Sequence, residues 1–227
     1  MQSPTPALQF STTEQKLSVP GAAGALELRW HAGVDPSADR AVIVCHPHPL
    51  HGGTMDNKVV TTLARTYRDI GWHALRFNFR GVGKSEGEYG HLQGEIDDLE
   101  SVLAFVRKQL PQSAIALAGF SFGSAVVANL TLRNGDIDHL VLIAPPVGKY
   151  ELDFPTAFPC PTLVVQGDQD EIVDLSRTRD WASGVQGEFH YREMSGAGHF
   201  FHGRLTELRD LVLAGLPPGR NPEATSA

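Results

Sequence analysis

Ser121 is the residue of this sequence whose setting best suits nucleophilic chemistry. It stands at the centre of GFSFG, residues 119–123, a G-x-S-x-G motif. The motif follows an apolar run typical of a strand, 114–118, and precedes a small-residue stretch typical of a helix, 122–132. Such a strand-to-helix turn exposes the serine hydroxyl and directs backbone N–H groups of the helix toward it. The motif therefore predicts a serine nucleophile; a serine that only caps the helix is the alternative.

Candidates for the other two members of a serine triad follow Ser121 along the chain. The nucleophile needs a base, and the base needs a carboxylate that orients it. Asp170 lies in a turn after an apolar run, and His199 lies in the glycine-rich loop that ends the next such run. We therefore predict the triad Ser121, His199 and Asp170. Asp168, in the same turn, is the rival acid, and His202, just past the loop, is the rival base.

The elements that must position these residues alternate along the chain. Runs typical of strands cover 15–19, 25–30, 41–45, 73–79, 114–118, 139–143, 162–165 and 189–192. Stretches typical of helices cover 57–70, 92–110, 122–132, 174–182 and 200–213. The first two strands are expected to form a hairpin that turns at Pro20-Gly21.

This alternation predicts an α/β fold with about eight strands in a mostly parallel sheet and helices on both faces. The 227 residues are expected to form a single domain, with flexible tails at 1–8 and 216–227. In such sheets the functional site lies at the carboxyl ends of the strands. The three candidate residues all follow predicted strands, so we expect them to meet there.

The amino-acid composition indicates which kinds of binding partner are not expected. The net charge is −7, and no basic run is present, so nucleic acid is not an expected partner. No apolar run approaches the ~18 residues of a membrane span, and no apolar leader precedes Phe10, so we expect a cytoplasmic protein. The two cysteines, Cys45 and Cys160, are expected to be free buried thiols.

A metal or another cofactor is not expected. His46, His48 and His51 are close together in sequence, but no set of carboxylates at a matching spacing completes a metal site. A serine triad also needs no metal. The segment 78–85 resembles the end of a phosphate-binding loop, but the motif requires glycine at position 78, where this chain has asparagine. A tight turn after a strand accounts for that segment.

Four further segments resemble small bacterial members of the α/β-hydrolase superfamily that have no lid. They are HPHPLHGGTMDNKVV (46–60), FNFRGVGKSEG (77–87), APPV (144–147) and GHFFHG (198–203). Together with GFSFG, they extend the resemblance over nearly the whole chain. The order serine, aspartate, histidine is also that of this superfamily. The resemblance implies the α/β-hydrolase fold and serine hydrolase activity.

The resemblance also implies where the oxyanion hole lies. One donor is the backbone N–H of Phe122, the residue after the nucleophile. The other comes from the loop after the strand 41–45. Because Pro47 and Pro49 have no N–H, we expect His48 to be the second donor, with Leu50 as the alternative. The other interpretation is that this loop only shapes the rim of the pocket.

Five prolines lie between Ala144 and Thr162, where many α/β-hydrolases carry a lid. They predict a loop instead of a lid, and therefore an open, shallow site. The aromatic residues nearby are expected to be either pocket walls or core: Phe120, Phe122, Tyr150, Phe154 and Phe158.

These observations predict a serine hydrolase that cleaves a small carboxylic ester or thioester through an acyl-enzyme. A small peptidase, an amidase or a C–C bond hydrolase with the same triad is the alternative among enzymes. A binding module on a hydrolase fold without catalysis is the alternative from another class.

Overall fold

The computed structural model describes residues 6–11, 13–34, 38–150 and 154–217. Eight strands form one sheet: β1 (Gln15–Gly21), β2 (Gly24–His31), β3 (Arg40–Cys45), β4 (His73–Phe77), β5 (Ala114–Phe120), β6 (His139–Ile143), β7 (Thr162–Gly167) and β8 (Phe189–Met194). Five α-helices accompany them: α1 (Lys58–Asp69), α2 (Gln93–Gln109), α3 (Phe122–Arg133), α4 (Leu175–Gly184) and α5 (Leu205–Ala214).

The strand order across the sheet is β1-β2-β4-β3-β5-β6-β7-β8. β1 and β2 are antiparallel to their neighbours, and the other six strands are parallel. Helices α2 and α3 pack on one face of the sheet, and α1 and α5 pack on the other. Both faces are thereby covered, which explains why β3, β5, β6 and β7 are almost continuously apolar. The predicted α/β fold with eight strands is confirmed.

The first hairpin does not turn at the predicted Pro20-Gly21. β1 continues through both residues, and Pro20 pairs with Ala25 and Gly21 with Gly24. The two residues at positions 22 and 23 make the turn. Proline is tolerated here because β1 is the edge of the sheet, where a missing N–H leaves no neighbouring strand unsatisfied.

The last helix begins later than predicted. Residues 200–204 form turns, and α5 begins at Leu205. Phe201 and Gly203 have φ values of 51° and 73°, which are incompatible with a right-handed helix. His202 consequently lies in the loop that carries His199 and not on the helix.

The described residues of the connection between β6 and β7 build no lid. These residues, 144–150 and 154–161, form no helix and only one isolated bridge, between Ala157 and Gln186. Phe154 and Phe158 pack against the core, where their rings contact Trp181 and Phe189. This agrees with the predicted absence of a lid domain.

The predicted flexible tails lie mostly outside the described residues. Leu8 and Leu216, at the inner ends of those tails, are described, and both are buried against the two faces of the sheet. None of the helices that the structure describes has the length and apolar character needed to cross a bilayer.

Candidate active site

The turn between β5 and α3 holds Ser121 in a strained backbone conformation, with φ 53° and ψ −119°. A non-glycine residue in this region costs about 1–3 kcal/mol, which the surrounding packing must offset. Two glycines permit the turn. A Cβ on Gly119 would lie 2.3 Å from the carbonyl oxygen of Gly123, and one on Gly123 would lie 2.5 Å from that of Cys45. Each close approach is to backbone, so any side chain at either position would displace the turn.

Hydrogen bonds from β6 and from within the turn fix this conformation. The backbone N–H of Ser121 donates to the carbonyl oxygen of Ile143 at 2.8 Å. The Ser124 hydroxyl lies 2.8 Å from the carbonyl oxygen of Gly119 and 3.0 Å from that of Ile143. The position of the Ser121 side chain is therefore set by two strands and the first turn of α3.

The structure brings the three predicted residues into one hydrogen-bonded chain. Ser121 Oγ lies 3.0 Å from His199 Nε2, and His199 Nδ1 lies 2.8 Å from Asp170 Oδ2. A carboxylate only accepts hydrogen bonds, so Nδ1 carries the proton and Nε2 is left to accept one from the serine hydroxyl. Ser121 is 7% exposed and His199 2%. This arrangement is suited to general-base activation of the serine.

Asp170 is held as an ionised acceptor. Its Oδ1 accepts the backbone N–H groups of Ile172 and Val173, both at 2.8 Å. Its Oδ2 accepts from His199 and also from Gln166 Nε2 at 2.7 Å. Burial by itself raises the pKa of Asp170, but the hydrogen bonds from His199, Val173 and Ile172 outweigh it and lower the pKa below its usual value.

The rival acid, Asp168, serves the loop that carries His199. Its Oδ1 accepts the backbone N–H of Gly196 at 2.6 Å, across from its own turn. Glu171 acts in the same way, accepting the backbone N–H of His199 at 3.1 Å. From the sequence, Asp168 was considered only as the rival acid, and Glu171 and Gln166 were missed. Gln166 had a signal, since it is a polar residue inside the buried apolar strand β7.

The two residues predicted to supply the oxyanion donors, His48 and Phe122, follow the carboxyl ends of β3 and β5, and their side chains are in contact. The rings of His48 and Phe122 are 4.8 Å apart. Within the described part of the chain, neither backbone N–H donates to another residue. The N–H of Leu50, the alternative donor, is already engaged, because it donates to His48 Nδ1 at 3.2 Å. His48 Nε2 in turn lies 3.2 Å from the Tyr89 hydroxyl.

His46 holds the loop that carries His48. It is fully buried; its Nδ1 lies 2.6 Å from the carbonyl oxygen of Pro47, and its Nε2 accepts the backbone N–H of Phe79 at 3.0 Å. These partners require the neutral imidazole with the proton on Nδ1. Burial lowers the pKa of His46 to about 4, against the smaller opposing effect of the bond to Pro47. Among the described residues, no group of three His, Cys, Asp or Glu side chains is placed to hold a metal ion.

We expect this histidine to make stability depend on pH. In the unfolded chain its pKa is ~6.5, so between pH 6.5 and 4 the unfolded state binds a proton that the folded state excludes. The free energy of unfolding should therefore fall by about 2 kcal/mol from pH 7 to pH 5 on account of His46. Urea unfolding of the wild type and of His46→Gln at both pH values measures this.

The matched control is His190→Gln, which removes an exposed histidine. It should keep the full difference between pH 7 and pH 5, whereas His46→Gln should be less stable at pH 7 and lose most of that difference. An equal pH difference in His46→Gln and the wild type would show that the buried imidazole is not the source.

A second hydrogen-bonded group of an aspartate, a histidine and a hydroxyl has the connectivity of a triad but lacks an accessible nucleophile. Asp138, His139 and Tyr67 are linked by contacts of 3.0 and 2.7 Å at the amino end of β6. Tyr67 is fully buried, and burial raises its pKa far above the usual value. The hydroxyl is therefore inaccessible and protonated, and this group has a structural role.

Comparison with known proteins agrees with the α/β-hydrolase fold. The protein-family model described as serine aminopeptidase, S33, matches residues 36–159. A Rickettsia prowazekii protein is 36% identical over 202 residues, which cover 85% of this chain and 84% of that protein.

Two solved structures are similar in both sequence and shape. An alpha-beta serine hydrolase homologue from Coxiella burnetii is 41% identical, with a TM-score of 0.86, and the match covers 92% of this chain and 100% of that one. An α/β serine hydrolase without a lid from Xanthomonas campestris is 38% identical, with a TM-score of 0.85, over 93% and 96% of the two chains.

Proposed function

The chain belongs to the α/β-hydrolase superfamily of serine hydrolases, and from this we propose that it cleaves carboxylic esters or thioesters through a Ser121–His199–Asp170 triad. The observation that carries the proposal is the continuous hydrogen-bonded chain from Ser121 Oγ through both nitrogens of His199 to Asp170 Oδ2. The strained turn at Ser121 supports it, as do the N–H groups of Phe122 and His48, which donate to no residue in the described part of the chain.

In the proposed reaction, Ser121 Oγ attacks the acyl carbon while its proton passes to His199 Nε2. His199 then gives that proton to the leaving alcohol or thiol, and the acyl group stays on Ser121. Water, deprotonated by the same imidazole, attacks the acyl carbon and releases the acid and the free serine. Asp170 keeps the Nδ1 proton in place and stabilises the imidazolium.

The backbone N–H groups of Phe122 and His48 are the proposed oxyanion hole. Two such donors, fixed before the substrate arrives, stabilise the negative charge that develops on the carbonyl oxygen. Removing one oxyanion donor typically costs about 10²–10³ in kcat. His46 and the Ser124 hydroxyl position the two segments from which these donors come.

A panel of substrates tests the class of bond. It contains 4-nitrophenyl esters of graded acyl length, the corresponding thioesters and aminoacyl 4-nitroanilides. The amide arm is needed because the matching family model is described as a serine aminopeptidase. Hydrolysis of the esters or thioesters with kcat/KM far above that for the amides supports the proposal. The reverse preference would assign the protein to the peptidases.

We expect a preference for short acyl groups and no interfacial activation. The described residues between β6 and β7 build no lid, so little apolar surface encloses a long acyl chain, and each buried CH₂ contributes only ~0.8 kcal/mol. Initial rates on butyrate and laurate esters, measured below and above the critical micelle concentration, check this. A jump in rate above that concentration would contradict the expectation.

A further inference from the structure

Two segments whose residues take no part in the proposed steps meet at one cleft next to the loop that carries His199. The cleft has a volume of about 350 Å³. Its walls come from residues 52–59, the loop before α1 and the first residues of that helix, and from residues 200–205, the loop after His199. These are parts of the HPHPLHGGTMDNKVV and GHFFHG segments.

The cleft adjoins the imidazole of His199 through one side chain, Phe200, and no residue of the triad lines it. Phe200 lines it, and the Phe200 ring stands edge-on to the His199 ring, with centroids 5.1 Å apart and an angle of 89°. In acyl transfer by a serine triad, the imidazole protonates the departing group, so that group must lie against the imidazole. A leaving group that contacts the imidazole can extend past Phe200 into this cleft.

The aromatic wall of the cleft is accessible. Phe200 is 38% exposed, and its ring stacks on that of His202 at 5.6 Å and 27°. Pockets for small ligands are lined mainly by hydrophobic and aromatic side chains. A flat leaving group can therefore pack against Phe200.

The cleft contains one cation that pairs with no described carboxylate. Lys58 is exposed, lines the cleft and forms no ion pair with any described residue. Asp56 also lines it, but its carboxylate is engaged with Arg76 Nη1 at 2.9 Å. An anionic group bound in the cleft would therefore form an ion pair with Lys58.

We propose that this cleft binds the leaving group of the substrate and favours an aromatic leaving group that carries an anionic substituent. The proposal rests on the proposed ester hydrolysis and specifies its substrate. The acyl group lies on the other side of Ser121, where the absence of a lid limits its size.

Two esters of the same acid test the charge preference: 4-acetoxybenzoate, whose leaving group is anionic, and methyl 4-acetoxybenzoate, whose leaving group is neutral. The quantity measured is the ratio of their kcat/KM values. Differences in intrinsic reactivity cancel when this ratio is compared between variants. Lys58→Met should lower the ratio about twofold to fivefold, the effect of losing one exposed ion pair, and Lys58→Glu should lower it further.

The matched control is Lys108→Met, which removes the same charge from an exposed position on α2. Its ratio should equal that of the wild type. Folding should survive both Lys58 changes, because Lys58 begins α1, where a cation is unfavourable and a carboxylate is favourable. Raising the salt concentration should lower the wild-type ratio and leave that of Lys58→Met nearly constant.

The aromatic wall has its own test. Phe200→Leu should raise KM for both aryl esters relative to ethyl acetate.

If the wild type, Lys58→Met and Lys58→Glu show the same ratio of kcat/KM values for the anionic and the neutral ester, the assignment of the cleft is overturned while ester hydrolysis stands. If the wild type hydrolyses neither aryl ester nor any nitrophenyl ester, the proposed function fails, and this inference fails with it.

Discussion

Replacing Ser121 with alanine is expected to lower kcat by about 10⁴–10⁶ while the protein stays folded. The substitution removes only Oγ, the proposed attacking atom. The backbone hydrogen bond from Ser121 to Ile143 and both hydrogen bonds of Ser124 remain. Steady-state kinetics on a short nitrophenyl ester, with a circular dichroism spectrum and a urea unfolding curve of the same variant, check this.

The control for Ser121→Ala is Ser183→Ala, which removes an exposed hydroxyl on α4. It should keep wild-type turnover. If Ser121→Ala retained more than about a tenth of wild-type kcat with a native circular dichroism spectrum, Ser121 would not be the nucleophile.

Replacing Asp170 with asparagine is expected to lower kcat by about 10³–10⁴. Because Oδ1 accepts two backbone N–H groups, the amide oxygen of the asparagine will take that place. The NH₂ group then occupies the Oδ2 position and faces His199 Nδ1 and Gln166 Nε2. Nδ1 must become the acceptor, so the proton moves to Nε2, and the imidazole can no longer accept the proton of Ser121.

The neighbouring substitution Asp168→Asn is the matched control. Among the described residues, the Asp168 side chain accepts a hydrogen bond only from the N–H of Gly196, and an amide oxygen can accept the same bond. We expect a loss of less than about tenfold. If Asp168→Asn were the inactive variant and Asp170→Asn the active one, the acid would belong at position 168. If Asp170→Asn, Asp168→Asn and His199→Ala were all active, the protein would contain no functional triad.

Local patterns were sufficient to predict most of the fold. The strands buried on both faces, such as β3 and β6, leave continuous apolar runs that periodicity detects. The two errors, at Pro20 and at the start of α5, both concern positions where tertiary context overrides a local rule. Pro20 is allowed in a strand because β1 is an edge, and the turns at 200–204 form because that loop must present His199 to Ser121.

In the candidate site, too, local patterns were sufficient to predict some residues and not others. Ser121, His199 and Asp170 were predicted because each belongs to a motif that follows a strand. His46, Gln166 and Glu171 escaped prediction as supporting residues. The contacts of His46 with Phe79 and of Glu171 with His199 join positions 33 and 28 residues apart. Such contacts depend on which strands become neighbours, and that is not visible in a local sequence pattern.

Labelling with a fluorophosphonate is the measurement that tests the central claim most directly. The reagent phosphonylates a serine only when a neighbouring base and oxyanion donors activate it, so it reports activation at Ser121 without knowledge of the substrate. Intact-mass spectrometry followed by peptide mapping should find one adduct, on Ser121, which is absent in Ser121→Ala and strongly reduced in His199→Ala. Folded wild-type protein that carries no adduct, or carries it on another residue, would contradict the account.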